Sequence, residues 1–219
     1  TMGMAKFESK RLTEEVKDRF REELDYNLEA DRQEAFTAIH AGDSRIRIPR
    51  IFDTHSSSRV LTAELLTGRN FDQARTAPEE LRRSWAETLW CFVYRANLVG
   101  GMFNADPHPG NYYFQDDGGV GFLDFGCVQP IHDERRLIAA NLHYAAASRD
   151  KERFAECACE MLQTQGGLYE EMAIEYVSHC FRPLSESPFH ITQAFAGELV
   201  DRFKTMTASL MRSSHDQFV

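Results

Sequence analysis

Positive charge is in short supply in this sequence. Lys and Arg number 25 against 34 Asp and Glu, a formal net charge of −9 over 219 residues. Binding driven mainly by nucleic-acid phosphates or anionic lipid needs the opposite sign, so no nucleic-acid partner is expected. No Cys-x-x-Cys occurs, and the cysteine count is odd, at five. Cys157 and Cys159 stand two apart and would point in different directions from a helix. This fits neither a zinc site nor a disulfide framework, and the cysteines read as reduced thiols. There is no apolar run of about 18 residues and no basic segment leading into one, which argues against a membrane span or a signal peptide. The expected location is therefore cytoplasmic, or peripheral on the cytoplasmic face of a membrane. Internal repeats and low-complexity tracts are also missing. What remains is ordinary globular composition, with 42% hydrophobic and 27% charged residues, in a length that suits one or two domains. The abrupt ends, Thr1-Met2-Gly3-Met4 and Gln217-Phe218-Val219, suggest a piece of a longer protein.

Along the chain, Phe7, Leu12, Val16, Phe20, Leu24 and Leu28 recur at helical spacing, which predicts one long helix from residue 5 to about 41. Arg45 to Arg50 and Arg59 to Leu65 read as two strands of a hairpin turning at His55–Ser58. Pro78-Glu79-Glu80 opens a helix that runs to about Leu98; its aromatic content predicts burial, and Gly100-Gly101 ends it. Tyr112–Phe114 and Val120–Leu123 read as short strands joined by the Asp116-Asp-Gly-Gly119 turn. From Asp133 onward only helices are expected, with breaks at Gly166-Gly167 and between Pro183 and Pro188.

Chemistry concentrates in residues 104–126. Asp106 and Asn111 stand at D-x4-N spacing on a loop stiffened by two prolines. The hairpin that follows reverses the chain and can return Asp124, in Asp-Phe-Gly, to the neighbourhood of Asn111. Phosphoryl transfer from ATP uses such a set: one carboxylate to orient the nucleophile, and a second carboxylate with an amide oxygen to hold Mg²⁺ against the phosphates. Asp106 takes the first role and Asn111 with Asp124 the second. His108, held between prolines, reads as a loop-bracing residue.

Ala105-Asp-Pro-His-Pro-Gly-Asn111 closely resembles the catalytic loop of the UbiB-type (AarF-like) atypical kinases, in the protein-kinase-like superfamily. Glu22-Glu-Leu-Asp-Tyr-Asn-Leu-Glu-Ala30 resembles that family's signature acidic helix, and Val60–Gly68 its lobe-connecting hinge strand. The motifs come in the family's order. The resemblance implies an α+β, kinase-like fold dominated by a mostly helical C-terminal lobe. Residues 1–66 would be a remnant of the N-terminal lobe, and residues 67–219 the helical lobe with the catalytic loop. It implies an ATP-dependent phosphotransferase or ATPase that binds Mg²⁺-ATP or ADP in isoprenoid-quinone or lipid metabolism, with a lipid or quinone precursor and peripheral membrane association as its implied partners. Glu23, Asp25 and Glu29 would face the nucleotide, and Glu64, Leu65 and Leu66 would meet adenine through backbone atoms. The family's KxGQ extension, Ala-rich nucleotide loop and phosphate lysine are missing here; Lys6, Lys10 and Lys17 belong to the predicted helix. Only Cys127 to His132 separate Asp-Phe-Gly from the next helix and no A-P-E follows, which argues against a peptide substrate. The alternatives are a non-catalytic pseudokinase or scaffold, and a small-molecule phosphotransferase of the aminoglycoside or choline kinase type.

Overall fold

The structure is a computed structural model that describes Lys17, Glu22 and residues 24–216, with side chains through residue 209. The chain forms two compact units, Thr1–Ile131 and His132–Val219. The expected boundary between residues 66 and 67 falls inside the first unit, because a strand from one side of it pairs with a strand from the other.

In the first unit, helix α1 spans Tyr26–His40. The single long helix expected over 5–41 is interrupted: Leu24 is in a turn, and Asp25 has extended backbone (φ −103°, ψ 92°), with its carboxylate accepting from Asn27 N–H at 3.1 Å. Aspartate is a strong N-cap, and capping here outweighs the continuing apolar spacing. Lys17 and Glu22 are helical; the rest of the expected N-terminal portion lies outside the described residues.

Strand β1 (Ile46–Arg47) pairs parallel to β4 (Val120–Phe122), with Ile46 opposite Val120, and β4 pairs antiparallel to β3 (Tyr112–Phe114). The predicted β3–β4 hairpin is present. The predicted strand over 59–65 is not regular: the two arms meet only at bridges Ile51–Ala63 and Ser57–Val60. Side chains replace the missing ladder. Ser56 Oγ donates to Phe52 O and accepts from Thr62 N–H, and Thr62 Oγ1 donates to His55 O. Ser and Thr bonded this way divert backbone from regular pairing.

After a short helix α2 (Phe71–Ala74), α3 runs Glu79–Arg95, with acidic residues in its first turn. A π turn, Ala96–Gly100, follows, and Gly101 closes it at φ 65°, a left-handed conformation that suits glycine. Burial of α3 is one-sided, contrary to expectation: Trp85 and Phe92 are buried, whereas Trp90 and Val93 are exposed. The buried side joins a run of rings. Phe92 stacks on Phe122 at 3.8 Å and on Phe36 at 5.4 Å, and Phe36 lies 5.0 Å from Phe125. This aromatic core reaches from the sheet to the Asp-Phe-Gly turn and anchors it. Strand β2 (Met102–Asn104) pairs antiparallel with β5 (Val128–Pro130) and leads into the Ala105–Asn111 loop.

The second unit is helical, as expected: α4 (Asp133–Ser148), α5 (Lys151–Leu162), α6 (Gly167–Cys180), α7 (Arg182–Ser185) and α8 (Gln193–Asp216). Leu142, Ala145, Ala146, Phe154, Cys157 and Ala158 form its core, where small residues allow close helix approach. The five cysteines are free thiols.

Candidate functional site

Backbone bonds tie the loop between β2 and β3 to the chain that carries Asp124. Ala105 N–H donates to Cys127 O at 2.8 Å, and Leu123 N–H donates to Asn111 O at 2.9 Å. Inside the loop, His108 Nδ1 accepts from Gly110 N–H at 3.1 Å, the bracing role expected of it. Asn104 Oδ1 accepts from Asp106 N–H at 3.1 Å, while its amide group donates to Asp124 O at 3.2 Å. The hairpin returns Asp124 to the loop, and Asn111 Nδ2 donates to Asp124 Oδ2 at 3.3 Å. Asp124 has φ 65°, a conformation that Asp tolerates better than most side chains. Its Oδ1 accepts from Gly126 N–H at 3.1 Å, which locks the turn.

Helix α1 closes the other side. Glu29 Oε1 accepts from Phe125 N–H at 3.4 Å. Burial pushes the Glu29 carboxyl above the usual carboxylate range, and the Asp124 charge adds to the rise; the Phe125 N–H and Arg32 act against it. Arg32 Nη1 donates to Gly126 O, and Nη2 pairs with Glu22 at 2.8 Å. Tyr112 is raised by burial and then by the Asp106 charge. The Asp106 carboxylate itself has no hydrogen-bond partner among the described residues.

An open cleft of about 700 Å³ results, with Glu29, Asp106 and Asp124 as its acids, Arg59 as a cation, and Tyr26, Val60 and Leu61 on its wall. A larger cavity, about 760 Å³, lies wholly in the second unit around Phe154, Ile174 and Arg182 and contains none of the motif residues.

The predicted site residues divide as follows. Asp106, Asp124 and Glu29 line the cleft, and Asn111 touches Asp124. Asp25 is the exposed cap of α1 rather than a residue on its face, so it does not share a face with Glu29. Glu23 lies outside the described residues. Glu64 N–H donates to Arg50 O, Leu65 is 85% exposed, and Leu66 packs against Gly121; from this segment it is Arg59 to Leu61 that line the cleft. Sequence reasoning missed Arg32, Asn104 and Arg59. Arg32 follows Glu29 at i+3 and Asn104 precedes Asp106 at i−2, so spacing offered a signal for both. None was visible for Arg59.

The oxygen set suits a hard divalent cation. Asp124 offers a carboxylate fixed by the Gly126 amide, and Asn111 presents its amide nitrogen to Asp124, which leaves Oδ1 available. Among the described residues no three His, Cys, Asp or Glu side chains converge into a metal cluster. Mg²⁺ commonly uses one or two carboxylates and completes its shell with water and substrate phosphates, so the residues fit that ion.

The ABC1 atypical kinase-like domain matches residues 2–158. The chain belongs to this family. It is the one that the catalytic-loop, acidic-helix and hinge motifs resemble. An uncharacterized protein of Mycobacterium tuberculosis is 32% identical over 137 residues, which cover 58% of this chain and 27% of that one. Protein ACTIVITY OF BC1 COMPLEX KINASE 3, chloroplastic, of Arabidopsis thaliana is 30% identical over 146 residues, 66% of this chain and 20% of that one. The solved complex of Rv3197 with erythromycin from M. tuberculosis superposes with a TM-score of 0.65 at 23% identity, over 86% of this chain and 48% of that one. Together with the family match, this likeness establishes the α+β kinase-like fold. The chain spans between a fifth and about a quarter of the length of these curated relatives.

Proposed function

We propose that this chain carries the metal-binding half of a nucleotide site, in an atypical kinase or ATPase that binds Mg²⁺-ATP or ADP. The observation that carries the reading is the contact of Asn111 with Asp124, which lines one cleft with Asp106 and Glu29. Three carboxylates around one cleft repel a polyphosphate unless a cation neutralises them. Bound Mg²⁺ would supply that neutralisation, with Asn111 Oδ1 and Asp124 as its protein ligands. Asp106, whose carboxylate is unengaged, would accept a hydrogen bond from the hydroxyl or water that attacks. Arg59 would face the phosphates. The backbone at exposed Leu65 and half-buried Leu66, which makes no other hydrogen bond among the described residues, would meet adenine.

A small acceptor or water suits this site better than a peptide. The chain that leaves Asp-Phe-Gly is taken up at once in β5, paired with β2, so it offers no platform segment. Family membership supports a role in isoprenoid-quinone or lipid metabolism. Peripheral membrane association belongs to the same proposal; among the described residues no helix is long and apolar enough to cross a membrane. A second reading, nucleotide binding without turnover, is favoured by one observation: no lysine lines the cleft among the described residues.

Calorimetric titration with ATP and ADP, with and without Mg²⁺, tests the reading. Mg²⁺-dependent binding that Asp124→Asn abolishes is the expected result; absence of binding at millimolar nucleotide overturns it. Binding without any ATP consumption selects the second reading.

A further inference from the structure

Helix α1 holds the Asp124–Phe125–Gly126 turn through two side chains one helical turn apart. Glu29 accepts the Phe125 N–H, and Arg32, at i+3 and so on the same side of the helix, donates to the Gly126 carbonyl. The Arg32 side chain is only 12% exposed, and the other arm of its guanidinium is taken by Glu22 at 2.8 Å. A planar fork sets donors on two separate nitrogens and so reaches both acceptors in a fixed geometry, whereas a lysine offers its donors from a single nitrogen. Gly126 is thereby held from both sides. Its N–H is bound to Asp124 Oδ1, and its carbonyl to Arg32. There is little slack towards Asp124: a Cβ on Gly126 would come within 3.3 Å of its Oδ1.

We infer that Arg32 is a positioning residue for Asp124, acting through the Gly126 peptide, so that the aim of the carboxylate depends on where α1 sits. Arg32 lines neither the cleft nor the catalytic loop. If it merely balanced the Glu22 charge, removing it would loosen the unit generally and leave the Asp124–Gly126 bond no worse than the rest. As a positioning residue, its loss acts first on that bond. The functional consequence rests on the proposed role of Asp124 as a cation ligand; the structural part does not.

Site-resolved amide hydrogen exchange on the parent chain, Arg32→Ala and Arg32→Lys tests both parts. The Gly126 and Phe125 amides should exchange at least tenfold faster in Arg32→Ala, while the Phe114 and Val120 amides of the β3–β4 hairpin change less than twofold. Arg32→Lys keeps the charge and donors on a single nitrogen and should recover part of the protection; it also serves if the alanine variant does not fold. In the second arm, Mn²⁺ affinity in the presence of ADP should fall by about 10- to 100-fold, the range typical when the support behind a metal ligand is removed. Gly126 and Phe125 exchange within twofold of the parent, or an equal rise in the hairpin amides, overturns the inference. So does faster exchange with unchanged Mn²⁺ affinity. A parent chain that binds no Mn²⁺-ADP instead counts against the nucleotide-site reading, and the exchange result still decides whether Arg32 holds the turn.

Discussion

His40 ends α1, the helix that presents Glu29 and Arg32 to the site, and it is 2% exposed. Its ring stacks 4.8 Å from Phe92, and neither ring nitrogen has a hydrogen-bond partner among the described residues. Burial lowers its pKa from 6.5 to about 4; the nearby Arg95 adds to the drop and Asp43 opposes it. A histidine whose folded pKa is depressed contributes stability above its unfolded pKa and loses it as pH falls towards the folded value. Between pH 6.5 and about 4 the unfolded chain takes up a proton that the folded chain refuses. At 1.36 kcal/mol per pH unit, the loss over that window is about 3 kcal/mol. His40→Phe keeps a flat ring on Phe92 and removes the titration. Both tryptophans, Trp85 and Trp90, lie in the first unit. Urea unfolding followed by tryptophan fluorescence therefore reports on this unit alone. The stability of His40→Phe relative to the parent should rise by about 3 kcal/mol between pH 7.5 and pH 4. Groups that do not act on His40 titrate alike in both proteins and cancel. Parallel stability curves for the two proteins would refute the reasoning.

Glu29 titrates with the opposite sign. Its carboxyl is raised, mainly by burial, so its contribution is full below the unfolded pKa and declines as pH rises through the folded value. Glu29→Gln, which can still accept the Phe125 N–H, should be more stable than the parent at pH 7 and indistinguishable from it near pH 3.5 in the same unfolding assay. Phe125 is fully buried against Phe36. Phe125→Ala should cost about 3–5 kcal/mol in chemical denaturation and weaken nucleotide binding, because the cavity lies directly under Asp124. Arg59→Ala should weaken ADP about tenfold in calorimetry, a loss of ~1.4 kcal/mol, without moving the unfolding midpoint.

The parts of the fold that local signals encode were legible before the structure. The Asp-Asp-Gly-Gly turn placed the β3–β4 hairpin, acidic residues after a proline marked the start of α3, and a glycine marked its end. The grouping of the candidate site was legible because Asp106, Asn111 and Asp124 sit within nineteen positions joined by that hairpin. The misses are of two kinds. Periodicity ran through Leu24 and Leu28 and concealed that Asp25 between them caps a helix. Pairings distant along the chain, such as β1 with β4 and Glu29 with Phe125, depend on how elements pack and leave no trace in spacing. The Arg59–Leu65 strand failed because Ser56 and Thr62 bond to backbone that a strand would have used.

The most direct test of the central claim is paramagnetic broadening of amide resonances by Mn²⁺-ADP. If Asn111 and Asp124 hold the cation against the phosphates, the signals of Asn111, Asp124 and Gly126 vanish first, those of the β3–β4 turn at Asp117 and Gly118 persist, and Asp124→Asn removes the effect. Binding of Mn²⁺-ADP that leaves Asn111 and Asp124 sharp would contradict the account.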